Sequence, residues 1–289
     1  MWRKYSKKEN MDKYAVIGNP IAHSKSPQIH HMFAQQAEDE IMYEALLSPV
    51  DEFVETVEAF RQGGGMGLNV TVPFKQQAFD LADELSDYAQ RAGAVNTLVF
   101  RQDGSTYGTN TDGVGIVRDL VENHESNITG KRVLVLGAGG AVRGVIQPLL
   151  QQLPAQLFIA NRTPERAIEL ASDMQDLREN CELSGGGFED IIDHGQGEYD
   201  LIINGTAASL QGIMPPIPLS CLAEGVHCYD MMYGGRPTAF EFWCEDNGAA
   251  KVMNGLGMLV EQAAESFSIW RGKMPATKPV LEAMQLGTW

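Results

Sequence analysis

The run KRVLVLGAGGAVRG, Lys131 to Gly144, decides how this 289-residue chain is read. A basic pair leads into the aliphatic residues Val133, Leu134, Val135 and Leu136; a glycine turn follows, then helix-compatible residues. This is the pattern of the first strand, tight turn and first helix of a dinucleotide-binding βαβ unit. Glycines let the backbone approach a pyrophosphate, and the helix N-terminus offers free N–H groups and a positive dipole end. Gly137 and Gly139 fill the first two places of G-x-G-x-x-G, but Val142 stands at the third. The competing reading is a strand and glycine turn packed on a helix with no ligand.

Downstream, Val142 to Leu153 reads as the first helix, interrupted by Pro148, and Gln156 to Ala160 as the second strand. That strand ends in Asn161-Arg162-Thr163, where NAD enzymes place a carboxylate that accepts from the ribose 2′-OH. A carboxylate repels a 2′-phosphate, whereas arginine pairs with it through two hydrogen bonds. Arg162 therefore favours NADP, with Thr163 and Arg166 as further contacts; the alternative is that Thr163 caps the helix from Pro164 to Asp173. Further strands run from Asp200 into Asn204-Gly205-Thr206 and from His227 to Tyr233. In a doubly wound sheet such carboxyl ends border the cofactor crevice.

Upstream, Tyr14 to Ile17 reads as a buried strand ended by Gly18-Asn19-Pro20. Pro27 suits the first turn of the next helix, with Ser26 as its N-cap. Two hydroxyls here, Ser24 and Ser26, could instead hold a carboxylate together with the helix N-terminus. Tyr43 to Leu47 gives a second strand, and Asp51 to Arg61 a helix with Phe53, Val54, Val57 and Phe60 on one face. Gly63 to Gly67 reads as a glycine-dense turn. In the strand that follows, Leu68, Val70 and Val72 alternate with Asn69 and Thr71, whose side would look into a cleft. Pro73 stops that strand and Lys75 begins a helix, against the helix dipole. Asn96, Asn110 and Asp112 add polar groups at strand ends, and together with Thr71 and Lys75 they suggest a lined pocket. Arg101 to Gly104 is a hairpin-like turn. Repeated strand–helix alternation makes this segment α/β with a mainly parallel sheet.

The net charge of −16 argues against nucleic acid and anionic membranes as partners but permits a small anionic substrate. No apolar run reaches the roughly 18 residues a membrane span needs. The basic start MWRKYSKKENMDKY has no apolar core of a secretory signal, and residues before Met11 read as a short extension. Cys181, Cys221, Cys228 and Cys244 show no zinc spacing and read as reduced, buried thiols. A cytoplasmic protein without a metal site is expected. The closing segment holds a helix from Met258 to Trp270, with Leu259, Ala263, Phe267 and Trp270 at helical spacing and Gln262 among acidic and apolar neighbours.

Taken together, the runs GNPIAHSKSP, NVTVPFK, GAVNT, GTNTDGVG, GAGGAVR, NRT, NGT, YDMMY and NGLGMLVEQAA occur in an order that closely resembles the shikimate dehydrogenase family, from Tyr14 to Ala264. The resemblance implies NADP-dependent, reversible reduction of 3-dehydroshikimate to shikimate, in the aromatic amino acid pathway. It implies an α/β fold with an N-terminal substrate domain at 11–112 and a Rossmann-like NADP domain at 113–248. C-terminal helices, 249–289, would return to the substrate domain. Ser24 and Ser26 would hold the substrate carboxylate; Thr71, Lys75, Asn96 and Asp112 would bind ring hydroxyls; Tyr233 and Gln262 would contact substrate from the other side. Lys75 and Asp112 would be the catalytic pair. Gly137, Ala138, Gly139, Gly140 and Ala141 would cradle the pyrophosphate, and Asn161, Arg162, Thr163 and Arg166 the 2′-phosphate. Met231 and Gly255 would lie near the nicotinamide, and Asp87 corresponds to a family position sometimes assigned to the cofactor. The expected assembly is a monomer or homodimer. Two other readings stand beside this one: a quinate/shikimate paralogue that uses NAD, and a non-catalytic shikimate-binding regulator.

Overall fold

The computed structural model describes residues 11–193, 197–206, 208 and 212–287. The expected extension at 1–10 and the last two residues of the closing segment lie outside these. The chain divides into two compact units, one running to Thr111 and resuming at Val260, the other formed by Asp112–Leu259. Each holds its own six-stranded sheet.

In the first unit the elements run β1 (Asp12–Gly18), α1 (Ser26–Ala37), β2 (Ile41–Leu47), α2 (Phe53–Gln62), β3 (Gly65–Val70), α3 (Lys75–Leu81), β4 (Glu84–Leu85), α4 (Asp87–Ala92), β5 (Thr97–Phe100) and β6 (Thr106–Thr109). The sheet order is β2-β1-β3-β5-β6-β4. β1 pairs parallel with β2 and β3, and β4 with β6, whereas β5 runs antiparallel to both β3 and β6. The hairpin-like turn after Arg101 is thus the β5–β6 connection. One face packs Ala15, Ile17, Leu68, Val70 and Leu98 with Phe53 and Phe74, whose rings stack at 4.9 Å. Val54 departs from expectation: it is 45% exposed, because only the stripe through Phe53 and Val57 meets the sheet.

β3 differs from its reading in two ways. Its glycines are not all turn residues: Gly65 and Gly67 lie in the strand. A Cβ at Gly67 would sit 2.4 Å from the indole Nε1 of Trp270, so only glycine admits that side chain. Nor does Asn69 face a cleft. It is buried beneath α9 (Leu256–Arg271), while Val72 is exposed and lies past the strand's end at Val70. α9 starts in the second unit and ends in the first, where Trp270 stacks on Tyr14 at 4.7 Å and Arg271 pairs with Asp39 at 2.9 Å. α10 (Lys278–Leu286) follows and buries Val280 and Met284.

The second unit begins with α5 (Asp112–Arg118), which continues as a π-helical turn over Asp119–Asn123. Then come β7 (Arg132–Leu136), α6 (Gly140–Leu150), β8 (Gln156–Ala160), α7 (Pro164–Asp173), β9 (Glu182–Gly186), β10 (Tyr199–Asn204), β11 (Leu222–Asp230), α8 (Ala239–Asp246) and β12 (Lys251–Asn254). The sheet is parallel throughout, in the order β9-β8-β7-β10-β11-β12, the doubly wound arrangement that reverses beside β7. Pro148 does not interrupt α6, which continues to Leu150. Proline deprives the carbonyl four residues back of its N–H. Here that carbonyl belongs to Gly144, and Gly113 of α5 packs so closely that a Cβ on it would lie 2.5 Å from the oxygen. The four cysteines are buried and free. Among the described residues, no helix is long and apolar enough to cross a membrane.

His30 is fully buried in the first unit, stacked on Tyr43 at 4.2 Å and 7°, and neither ring nitrogen makes a hydrogen bond of normal geometry. Burial pulls its pKa from 6.5 down to about 3, outweighing the opposite pull of Asn69. Between those values the unfolded chain binds a proton that the folded chain refuses, so stability falls as pH falls, by about 1.4 kcal/mol per unit. His30→Phe keeps the ring and removes the proton site. In urea melts, moving from pH 7 to pH 5 should cost the wild type about 2 kcal/mol more than the variant. Equal losses would refute this assignment.

Candidate active site

The first unit gathers the polar residues of four chain segments at one end of its sheet. β1 and β3 leave the sheet at this end, β5 enters here because it is antiparallel, and β6 leaves here again. Main-chain bonds tie the segments together: Thr71 N to Ile17 O at 3.0 Å, Val70 N to Asn96 O at 2.8 Å, Asn96 N to Thr109 O at 3.1 Å and Val95 N to Lys75 O at 2.9 Å. Thr71, Lys75 and Asn96 therefore belong to one cluster. Gly18 makes it possible, since a Cβ there would lie 2.5 Å from the Thr71 methyl. Gln262 of α9 joins from the far end of the sequence; its carbonyl accepts from Thr111 Oγ1 at 3.0 Å.

Ser26 does not take the capping role expected of it. Lys25 is the N-cap of α1, and Ser26 is its buried first residue, so Ser26 is not the cap. The Ser24 hydroxyl instead accepts from the Ser26 N–H at 3.3 Å. Both hydroxyls thus stand at the N-terminus of α1, where the dipole favours an anion. Asn110 Nδ2 donates to Ala94 O at 3.1 Å, which accounts for it structurally. Asp112 is buried, follows Thr111 directly and opens α5 in the second unit. Asp87 opens α4, exposed and 4.0 Å from Arg91. It belongs to the first unit, whereas the other residues expected at the dinucleotide lie in the second.

In the second unit the glycine turn joins β7 to α6. Gly137 has φ +105°, which L side chains rarely adopt, and its N–H donates to Ala160 O at 2.7 Å. Gly139 and Gly140 are exposed, and a Cβ on either would meet nothing within 4 Å. The protein itself therefore does not require glycine at these two positions. The open space over the helix N-terminus fits an approaching phosphate, and Ala138 and Ala141 flank it. Val142 is fully buried, and its methyl occupies the place where Gly205 would otherwise carry a Cβ, 2.4 Å away. The close packing that a third glycine provides is supplied by Gly205 instead.

Arg162, Thr163 and Arg166 are exposed beyond β8, where Asn161 Nδ2 donates to Thr163 O at 2.9 Å. Thr163 occupies the N-cap position of α7, yet its hydroxyl makes no capping bond. Met231 and Gly255 lie against each other: Gly255 N donates to Met232 O at 3.0 Å, and a Cβ at Gly255 would lie 2.2 Å from Met231 O. Tyr233 follows, 39% exposed. Sequence reasoning missed what holds this turn. Asp230 is fully buried and accepts from Met232 N at 3.0 Å, Asn204 Nδ2 at 3.2 Å and Thr238 Oγ1 at 2.7 Å. Its place at the end of β11, just before the turn, was the available signal.

Family models match most of this chain. The shikimate dehydrogenase substrate binding domain matches residues 16–98, shikimate / quinate 5-dehydrogenase matches 119–213, and the shikimate 5′-dehydrogenase C-terminal domain matches 255–285. The shikimate dehydrogenase (NADP(+)) of Cellvibrio japonicus is 54% identical over 275 residues, 95% of this chain and 97% of that one. The chain belongs to the shikimate dehydrogenase family. Among solved structures of similar fold, an Ael1 enzyme from Pseudomonas putida superposes with a TM-score of 0.88 at 43% identity, covering 94% of this chain and 97% of that one. The shikimate 5-dehydrogenase of Thermus thermophilus, in complex with NADP(H) and shikimate, gives 0.82 at 31% identity, covering 96% and 99%.

The open space at the glycine turn makes a testable distinction. Gly139→Ala should cost at most about 1 kcal/mol of stability, since it loses only a preferred N-cap residue. It should nevertheless weaken binding of NADPH, used as the dinucleotide probe in calorimetry, by about tenfold or more. Unchanged affinity would mean that no phosphate approaches this backbone.

Proposed function

We propose that this chain is an NADP-dependent shikimate dehydrogenase that reversibly reduces 3-dehydroshikimate to shikimate in the aromatic amino acid pathway. The observation that carries the reading is the gathering of Thr71, Lys75, Asn96 and Gln262 at one sheet end, in a chain that shares over half its residues with an NADP-dependent family member. The first unit, with the C-terminal helices, would bind substrate, and the second NADP. The small-molecule chemistry and the net charge of −16 fit a cytoplasmic monomer or homodimer that does not act on nucleic acid.

In this reading Ser24, Ser26 and the N-terminus of α1 hold the substrate carboxylate. Thr71, Asn96 and Asp112 bind ring hydroxyls, and Gln262 and Tyr233 complete the contacts. Gly137 to Ala141 and the N-terminus of α6 hold the pyrophosphate, while Asn161, Arg162, Thr163 and Arg166 surround the 2′-phosphate. Met231 and Gly255 form the wall beside the nicotinamide, and Asp87 is a further cofactor contact. Bound NADPH supplies the hydride that reduces the ketone. Lys75 acts on the oxygen: its ammonium stabilises the developing alkoxide and donates the proton to it. In the oxidation direction the neutral amine takes that proton back. Asp112 orients the ammonium and accepts from a neighbouring hydroxyl.

Absorbance of NADPH, followed with 3-dehydroshikimate, tests the reading directly. Turnover with NADPH well above NADH, and with shikimate well above quinate, is expected. Comparable use of NADH and quinate would favour the paralogue, and binding without turnover would favour a regulator. Lys75→Ala should lower kcat by about 10²–10⁴ with substrate affinity mostly intact. A kcat near wild type would remove Lys75 from the chemistry. Arg162→Ala should raise KM for NADPH by about tenfold and leave KM for NADH unchanged, because only the 2′-phosphate interaction is lost.

A further inference from the structure

Behind the residues assigned to substrate runs a chain of buried hydrogen bonds that no part of the reaction uses. The Tyr43 hydroxyl donates to Asn69 Oδ1 at 2.7 Å, and Asn69 Nδ2 donates to Ser266 Oγ at 3.0 Å. Ser266 Oγ lies 2.8 Å from Thr97 Oγ1, and Thr97 Oγ1 donates to Asn96 Oδ1 at 2.9 Å. Asn96 Nδ2 donates to Thr111 Oγ1 at 3.0 Å, and Thr111 Oγ1 donates to the Gln262 carbonyl at 3.0 Å. All of these side chains except Gln262 are buried.

The directions follow from proton counting. A hydroxyl has one hydrogen to give. Asn96 Oδ1 can only accept, so Thr97 gives its hydrogen there; at the 2.8 Å contact Thr97 then accepts and Ser266 donates, in preference to the longer contact of Ser266 Oγ with the Gln262 carbonyl at 3.0 Å. The result is a one-way relay from Tyr43 to Gln262. Asn96 Oδ1 also accepts from Thr111 N at 3.0 Å. Both lone pairs of that oxygen are thereby engaged within the protein, which fixes the amide with its oxygen inward and its NH₂ edge toward Thr111. The relay therefore joins two residues from distant parts of the chain that are assigned to substrate, Asn96 and Gln262.

We infer that Thr97 and Ser266 are positioning residues of the substrate site, holding the Asn96 amide in one orientation and Gln262 in register with it. This rests on the reading of the first unit as the substrate unit. Buried polar networks that are fully bonded are rigid, and a partly bonded one loses its unique arrangement. Removing the Thr97 hydroxyl frees Asn96 Oδ1 from one donor and turns the Ser266 hydroxyl to the Gln262 carbonyl 3.0 Å away, so the amide can turn over and present the wrong edge.

The test compares Thr97→Val, Thr97→Ser and Ser266→Ala with the wild type in steady-state kinetics and in calorimetry with shikimate. Thr97→Val and Ser266→Ala should each raise KM for 3-dehydroshikimate and Kd for shikimate by about tenfold, the equivalent of one hydrogen bond to the ligand. KM for NADPH should not move. Thr97→Ser keeps the hydroxyl and should return both constants to within about twofold of wild type. A purely structural role would lower the melting temperature of all three variants without separating the two KM values, and that outcome overturns the inference. If Thr97→Val shows no cooperative melt, Ser266→Ala decides by the same criterion. A wild type inactive toward 3-dehydroshikimate and without affinity for shikimate would instead overturn the functional reading itself.

Discussion

The antiparallel pairing of β5 with β3, Leu68 opposite Leu98, is the constraint from which the first unit's chemistry follows. In a parallel pair, the residue entering one strand lies at the opposite sheet end from the residue leaving its neighbour. Reversing β5 brings its entry, Asn96, beside the exit of β3, where Thr71 and Lys75 stand. β6 then returns through a short turn and delivers Thr111 and Asp112 to the same end. The cost of the arrangement is a set of polar groups buried next to an apolar core, and such groups must be bonded internally. Asn69, Thr97 and Ser266 meet that demand.

Much of this was legible in the sequence because it is written locally. Tyr14 to Ile17 and Val133 to Leu136 are short apolar runs buried on both faces, and both are strands. Lys75 does open a helix just past Pro73, and the glycine turn does join a strand to a helix. The ordered motifs identified the family before any contact was known. What stayed hidden depends on partners far away in the chain. Asn69 reads as one member of an alternating strand, yet Ser266, almost 200 residues later, lies over it. Gly67 reads as a turn residue, yet its reason is the Trp270 indole. Ser26 reads as a cap, but the helix begins one residue earlier than that role requires, so the neighbouring Ser24 hydroxyl takes the bond.

The second unit inverts this balance. Its parallel sheet is built from consecutive strand–helix repeats, so neighbours in space are close in sequence and the pattern carries the fold. Its hidden element is again polar. Asp230 is a buried carboxylate, and three donors from β10, from the turn and from the start of α8 converge on it. Their convergence fixes the backbone that carries Met231 and Tyr233. In the letters YDMMY only its place at a strand's end, just before a turn, sets this aspartate apart from a surface one.

Val142 and Gly205 lie more than sixty positions apart and occupy one volume between them. The side chain at Val142 leaves no room for one at Gly205, where Met231 Sδ also stands 2.9 Å from the Cβ position. A fingerprint written as G-x-G-x-x-G assigns the empty space to a fixed letter in a single segment, whereas the packing requires only that the two volumes sum to what the gap between strand end and helix admits. Judged letter by letter the turn looks defective; judged by the sum it is complete.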